Sequence, residues 1–317
     1  MIIGIDAMSG DHAPAAVIEG AILAQQELTG DQKILLIGDE KIIREHLNRH
    51  HYQGQTIQIH HASQVIEMDE QPTRAFSTKT DSSINVGFRL LKSNKIHSFA
   101  SAGNTGAMLV GAFYEVGAIQ GVIRPTSIAL IPQEKGGFTV LMDVGTNPDV
   151  KPDVLNQFAV LGSLYATAML DIKNPRVALL NIGSEEKKGN ILCQSTYPVL
   201  KENTEINFYG NIEGRDIFDS KADVIVCDGY TGNIVLKQLE AFHQILAKRI
   251  PNDPFVKQMD FENYGATPVI GINKPVLIGH GISRVKAFKN MIITSKRLIN
   301  ARMKEKVRKK FLKNIVL

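Results

Sequence analysis

The chain of 317 residues has no tryptophan and only two cysteines, Cys193 and Cys227, in no metal-ligand spacing. A disulfide framework is thereby excluded, and a reducing compartment is the expectation. No apolar run approaches the roughly 18 residues that a membrane-spanning helix needs. Met1 leads directly into IIGID, which leaves no room for a signal peptide, so a cytoplasmic location is expected. The first strand-like run is not followed by G-x-G-x-x-G, and neither G-x-x-x-x-G-K-[ST] nor a G-x-S-x-G elbow occurs. Dinucleotide-binding and P-loop readings therefore lack their fingerprints. No repeat, low-complexity stretch or Pro/Gly/Ser linker divides the chain. One continuous domain over 1–317 is the expectation, with a short irregular excursion at about 250–275. The net charge of +4 is too mild to argue for nucleic acid.

What is present is an alternation. Short β-branched runs, as in IIGID (2–6), KILLIG (33–38) and RVALLN (176–181), are separated by longer segments of helical period. Further strands are predicted near 56–60, 96–100, 127–131, 138–143, 206–209, 223–227 and 275–278. Helices are predicted near 14–28, 40–49, 83–93, 105–118, 152–170, 190–201, 231–249 and 284–312. Alternation on this scale implies an α/β protein, three-layered α/β/α with a mostly parallel sheet. Only PQEKGG separates 127–131 from 138–143, which predicts an antiparallel hairpin there. The segment from Lys296 to Lys313 is strongly basic, with Glu305 as its single acid.

In a parallel sheet, ligands bind beyond the carboxyl ends of the strands, where loops and helix N-termini converge. Six such loops are alike in composition: DAMSGDHAP, SAGNTGA, DVGTNPD, NIGSEEKKGN, CDGYTGN and GHGIS. Glycines let a backbone approach a ligand, and free N–H groups at a helix start favour an anion. The candidate substrate- and phosphate-binding residues are Asp6, Ser9, Gly10, Asp11 and His12, then Gly103, Asn104 and Thr105, then Asp143 and Asn147. Asn181, Gly183, Asp228, Thr231, Gly232 and His280 complete the set. Lys187 and Lys188 follow a buried strand directly, as a ligand-binding rim would; a solvated mixed-charge helix start is the alternative. The pairs His50–His51 and His60–His61 have no acid or cysteine at ligand spacing, so no metal site is expected. Cys227 ends a strand but has no local histidine to activate it, which reads as a buried, inert thiol.

In this order the loops resemble the bacterial phosphate acyltransferase (PlsX) family of phospholipid synthesis. The likeness runs through IDAMSGDHAP, SAGNTGA, DVGTN, KNPRVALLNIG, EEKKGN, GNIEGRD, CDGYTGNIVLK, YGATPVIGI and GHGIS. It implies transfer of a fatty acyl group from acyl-carrier protein to inorganic phosphate, giving acyl-phosphate. It also implies a fold like those of isopropylmalate dehydrogenases and phosphotransacetylases, and a homodimer. The family's catalytic lysine and asparagine fall on Lys188 and Asn233. Their chemistry suits the reaction: a lysine at a helix start holds and orients phosphate, and an amide can donate to an oxyanion. A thiolate leaves readily, so no cofactor or metal is demanded. The segment between Asn233 and Tyr264 is shorter than the family's usual excursion, and it implies weak peripheral contact with the inner face of the membrane. The competing readings are a soluble phosphotransacetylase acting on a coenzyme A thioester and a non-catalytic scaffold for the carrier protein. A decarboxylating dehydrogenase has fold analogy alone behind it.

Overall fold

The computed structural model describes residues 1–312; Lys313, the last residue of the basic segment, lies outside the described residues. The strands are β1 (Ile2–Asp6), β2 (Lys33–Gly38), β3 (Ile57–His61), β4 (Ser98–Ser101), β5 (Thr126–Pro132), β6 (Phe138–Met142), β7 (Arg176–Asn181), β8 (Asn207–Glu213), β9 (Val224–Val226), β10 (Thr267–Ile270) and β11 (Val276–Ile278). The helices of the first half are α1 (Ala15–Ala24), α2 (Glu40–Arg49), α3 (Pro72–Thr78), α4 (Ser83–Lys92) and α5 (Thr105–Gly111). Those of the second are α6 (Pro152–Met169), α7 (Ile191–Glu202), α8 (Gly229–Arg249), α9 (Pro254–Gln258), α10 (Val285–Ala301) and α11 (Met303–Leu312). By its packing the chain falls into two compact units, Met1–Gly117 with Phe261–Asn300, and Ala118–Asp260 with the residues from Ala301 onward.

In the first unit the strand order is β3-β2-β1-β4-β11-β10, parallel except for β10 against β11. Its core centres on Phe88 and Phe99, edge to face with centroids 5.1 Å apart. In the second unit the order is β5-β6-β9-β7-β8, and only the β5–β6 hairpin is antiparallel. The central strands, such as β1, β7 and β9, are buried on both faces, which is why their sequences read as continuous aliphatic runs rather than alternating ones. Helix α8 lays Val235, Leu236 and Leu239 on this core. Helix α6 contributes Phe158, buried completely, worth about 1.5–3 kcal/mol relative to exposure. The mostly parallel α/β architecture and the hairpin are as the sequence predicts.

Four local expectations need correction. The stretch 250–275 is not irregular: it holds α9, a 3₁₀ turn at Phe261–Asn263 and β10. Asp253 caps α9 by accepting from the N–H groups of Phe255 (2.9 Å) and Val256 (3.0 Å), with Pro254 in the first turn. Pro268 hides β10 in the sequence, because proline cannot donate to a ladder. Helix α3, capped by Gln71, has only Ala75 buried and so shows no periodic signal. The single helix expected over 284–312 is two, because Arg302 adopts φ 49° and ends α10 in the left-handed region.

Candidate active site

Strand β7 pairs with β9, Leu179 beside Val226, and runs two residues further to Asn181. Strands β9 and β6 end in register, Val226 beside Met142, so the loops that follow these two start side by side, about 4.8 Å apart. Asp143, fully buried, organises them. Its Oδ1 accepts from Ser127 Oγ (3.0 Å) and from the N–H groups of Gly145 (3.0 Å) and Thr146 (2.9 Å). Its Oδ2 accepts from the Asn147 N–H (2.8 Å) and Asn147 Nδ2 (2.7 Å). The Asn147 carbonyl accepts from the Gly229 N–H at 2.8 Å, which ties this loop to the start of α8. Asp228 caps that helix, accepting from the Thr231 N–H and hydroxyl, each at 2.8 Å. At Gly232 a Cβ would stand 1.9 Å from the Asp143 carbonyl oxygen, so only glycine lets α8 seat on the loop. Asn233 comes next, exposed, with its Oδ1 3.4 Å from the Cβ position of Gly145.

The β7–α7 loop is closed by Asn181, whose Nδ2 donates to the Lys188 carbonyl at 3.1 Å and whose Oδ1 accepts from the Ile182 N–H at 2.8 Å. Asn190 caps α7 through the Cys193 N–H, 2.9 Å. The Lys188 stem lies over Gly183: a Cβ there would meet Lys188 Cγ at 2.9 Å. The two acids and two lysines of this loop have separate fates. Glu186 pairs with Lys201 at 2.5 Å, and that hydrogen bond holds its carboxyl below the ordinary range. Lys188 Nζ is 3.9 Å from Glu185 Oε1, both side chains more than half exposed, a loose pair of little energetic weight. Lys187 makes no ion pair among the described residues. The loop thus presents two ammonium groups that an anion can recruit cheaply.

Cys227 is buried, and burial, then Asp228 and Asp143, pushes its thiol well above the usual range. Burial also raises Cys193. A protonated thiol held against a carbonyl, as Cys227 is against Asp143 at 3.6 Å, packs rather than attacks.

In the first unit the neighbouring strands β1, β4 and β11 carry the other candidate loops. Asp6, fully buried, accepts from the Met8 N–H (3.0 Å) and Ser101 Oγ (2.7 Å), and Ser101 Oγ accepts from the Gly103 N–H (2.9 Å). Asn104 caps α5 through the Ala107 N–H at 3.0 Å and donates to the carbonyls of Glu67, Met68 and Glu70. The Asp11 N–H donates to the Gly281 carbonyl at 2.8 Å, joining the first and last loops beside Gly10. Among the described residues the buried Ser9 hydroxyl has no hydrogen-bond partner. Asp11, His12 and Thr105 are exposed, and His280, half-buried, stands edge-on to Phe261 at 4.8 Å.

The candidate residues thus sort by position. Asp6, Asn104, Asp143, Asn147, Asn181 and Asp228 turn their polar groups into the loops and shape them, whereas Lys188, Asn233, Thr105 and His12 face outward. The candidate set omits Ser101 and Ser127, the hydroxyls that anchor the two buried aspartates; Ser127 lies inside β5, where it looks like filler, and Ser101 ends β4 as the first residue of the SAGNTGA loop, where it looks like a turn residue. Among the described residues no cluster of histidine, cysteine and acidic side chains could hold a metal ion, and no helix is long and apolar enough to cross a membrane.

A family model described as "Fatty acid synthesis protein" matches residues 1–306. A phosphate acyltransferase of Acetivibrio thermocellus is 42% identical over 330 aligned positions, covering 98% of this chain and 96% of that protein. One from Syntrophomonas wolfei is 41% identical and covers 92% of each chain. Among solved structures, a phosphotransacetylase from Streptococcus pyogenes superposes with a TM-score of 0.67 at 18% identity, covering 95% of this chain and 94% of its own. A branched-chain phosphotransacylase from Enterococcus faecalis V583 gives 0.63 at 13%, covering 94% and 99%. At such identities these structures speak to the fold, and the sequence relatives speak to the family. Whole-length identity of about 40% to phosphate acyltransferases, with the family model matched over nearly the whole chain, makes this chain an acyltransferase of the phosphate acyltransferase (PlsX) family.

Proposed function

We propose that the protein transfers a fatty acyl group from the thioester of acyl-carrier protein to inorganic phosphate, releasing an acyl-phosphate for phospholipid synthesis. In this reading residues 1–317 act as one acyltransferase domain, in the cytoplasm, as a homodimer that touches the inner face of the membrane weakly. The observation that carries the proposal is the placement of Lys188 and Asn233 after two adjacent parallel strands, Lys188 on a loop closed by Asn181 and Asn233 in the first turns of α8, which seats on the Asp143 loop.

The chemistry follows from those groups. Phosphate is a weak nucleophile whose charge must be held and aimed, and the exposed Lys188 ammonium with its loose Glu185 partner can do both. A phosphate oxygen forms the new bond to the thioester carbonyl carbon. The carbonyl oxygen gathers negative charge, and the Asn233 Nδ2–H group is the donor assigned to it. Collapse breaks the carbon–sulfur bond, and the carrier thiolate leaves with the electron pair and takes a proton from water. The loop-shaping residues act by holding these two side chains and contact no reacting atom.

A second reading, a phosphotransacetylase acting on a coenzyme A thioester, draws on the fold shared with the solved structures. Incubation with phosphate and either palmitoyl-carrier protein or acetyl-coenzyme A, with acyl-phosphate trapped as hydroxamate, separates the two. Product from acetyl-coenzyme A alone would overturn the proposal.

A further inference from the structure

Single exposed aliphatic residues are ordinary on a protein surface; a group of them beside a reaction site is not. Among the described residues the two most exposed large hydrophobic side chains are Ile191 (85%) and Ile182 (79%). They stand at the two ends of the lysine loop. Ile182 follows Asn181, which holds the Lys188 carbonyl, and Ile191 opens α7 directly after its cap Asn190. On α8, Tyr230 (66% exposed) lies one turn before Asn233 on the same helix face, and Ile234 (50%) follows it. The core is packed by other residues of that helix, Val235, Leu236 and Leu239. Folding therefore does not require these four side chains to be apolar, and their exposure has a standing cost in water.

We infer that Ile182, Ile191, Tyr230 and Ile234 form the seat of the acyl chain, gripping methylenes beyond the first four carbons while Lys188 and Asn233 engage phosphate and carbonyl. The inference rests on the acyl-transfer reading above and adds to it the residues that set chain-length preference. A few placed polar groups inside an apolar rim is the usual make-up of a small-molecule site. Each methylene removed from water multiplies affinity about fourfold. Selection for a long chain over a short one can therefore arise from these side chains alone.

The test compares wild type, the double variant Ile182→Ser with Ile191→Ser, and, on the other element, Ile234→Ser. Each is given phosphate with butyryl- or palmitoyl-carrier protein, and acyl-phosphate is read as hydroxamate. Because the isoleucines stand in water, folding should survive, which circular dichroism checks. We expect the palmitoyl-to-butyryl ratio of kcat/KM to fall at least tenfold in the double variant and severalfold in Ile234→Ser. An unchanged ratio overturns the inference, and so does an equal fall on both substrates, which would mark a surface for the carrier protein. An altered oligomeric state in size-exclusion with an unaltered ratio also overturns it and assigns the face to a second copy of the chain. Failure of wild type on both thioesters refutes the acyl-transfer reading itself, before any variant is compared.

Discussion

Replacing Asp143 by asparagine tests whether that residue shapes the site or binds substrate. The carboxylate accepts five hydrogen bonds with no exposure to solvent. An asparagine keeping its oxygen toward Ser127, Gly145 and Thr146 would point an NH₂ group at two further donors, the Asn147 N–H and Nδ2, formerly 2.8 and 2.7 Å away. Two charge-assisted bonds become donor–donor contacts, and a hydrogen bond to a charged group is worth about 1.5–3 kcal/mol. The flipped amide fares worse, facing three donors. The expected loss is about 3–5 kcal/mol, a large part of the roughly 5–15 kcal/mol that holds a domain together. Urea unfolding followed by circular dichroism should show the midpoint of the second unit falling by about 1–2 M, given slopes of about 2–3 kcal/mol/M. Ser127→Ala, which removes one donor of five, should cost far less. A midpoint for Asp143→Asn within experimental error of wild type would refute this account. If the carboxylate instead faced phosphate, losing its charge would lower KM for phosphate and leave the midpoint in place.

Lys188→Ala and Asn233→Ala should each lower turnover by about 100-fold or more while leaving the unfolding midpoint unchanged, since both side chains are exposed; near-normal rates would shift attention to Lys187. Burial, with Lys95 and Arg89 adding to it, holds the His60 imidazole below its ordinary value of about 6.5. Its folded state thus disfavours the proton, so the contribution to stability is present above pH 6.5 or so and is lost as pH falls below that; His60→Gln should flatten the decline between pH 7 and 5, and equal slopes for the two proteins would exclude the effect. Helix α11 buries Val307 and Phe311; Arg302 just before it and Lys306 and Lys309 on it are exposed and make no ion pair among the described residues, while Lys310 pairs with Glu205 at 3.2 Å. Reversing those three charges should raise KM for the carrier substrate at low salt and much less above the physiological range, where the Debye length drops below about 8 Å; an unchanged KM would leave a merely solvated face. Phe242 and Ile245 on α8 are half exposed beside Lys248 and Arg249, whereas Phe255 packs edge-on against Phe218 at 5.6 Å and is a poor membrane tip. Flotation with anionic vesicles should show weak, salt-sensitive association that Phe242→Asp with Ile245→Asp abolishes and Phe255→Asp does not; binding that persists in high salt would contradict it.

The sequence exposed most of the strands because a parallel strand buried on both faces is a run of aliphatics bounded by turn residues, as KILLIG and RVALLN are. It hid β10 and α3 for opposite reasons. One carries a proline inside a strand, and the other is a polar helix held by a Gln71 cap and a single buried alanine. The break at Arg302 was invisible because a left-handed residue there is neither glycine nor asparagine. At the candidate site, composition marked the strand-end loops but could not tell which side chains look inward. Asp143 and Lys188 have equal standing in a string of letters; only hydrogen-bond partners separate a buried acceptor of five donors from an ammonium in water. The pair proposed as catalytic, Lys188 and Asn233, came from family resemblance, and no spacing rule would have preferred Lys188 to Lys187.

Both units build their loops by one device. A parallel strand ends in a fully buried aspartate that accepts a backbone N–H two residues on and a serine hydroxyl from another strand: Asp6 with Met8 and Ser101, Asp143 with Gly145 and Ser127. The buried Asp143 carboxylate beside the proposed phosphate site looks like a mistake in electrostatics, since it should repel phosphate. The donors resolve the difficulty. Each carboxylate is surrounded by the positive ends of N–H and O–H dipoles, so its field is largely cancelled close by, and the same bonds fix the loop backbone before substrate arrives. The mobile charge is left to the ammonium groups, which stand in water on the β7–α7 loop and can follow the phosphate as it becomes part of the product. Rigid backbone and adaptable cation are therefore assigned to different residues. That division predicts where substitutions act: changes at the aspartates should alter stability first and rate second, and changes at Lys188 the reverse.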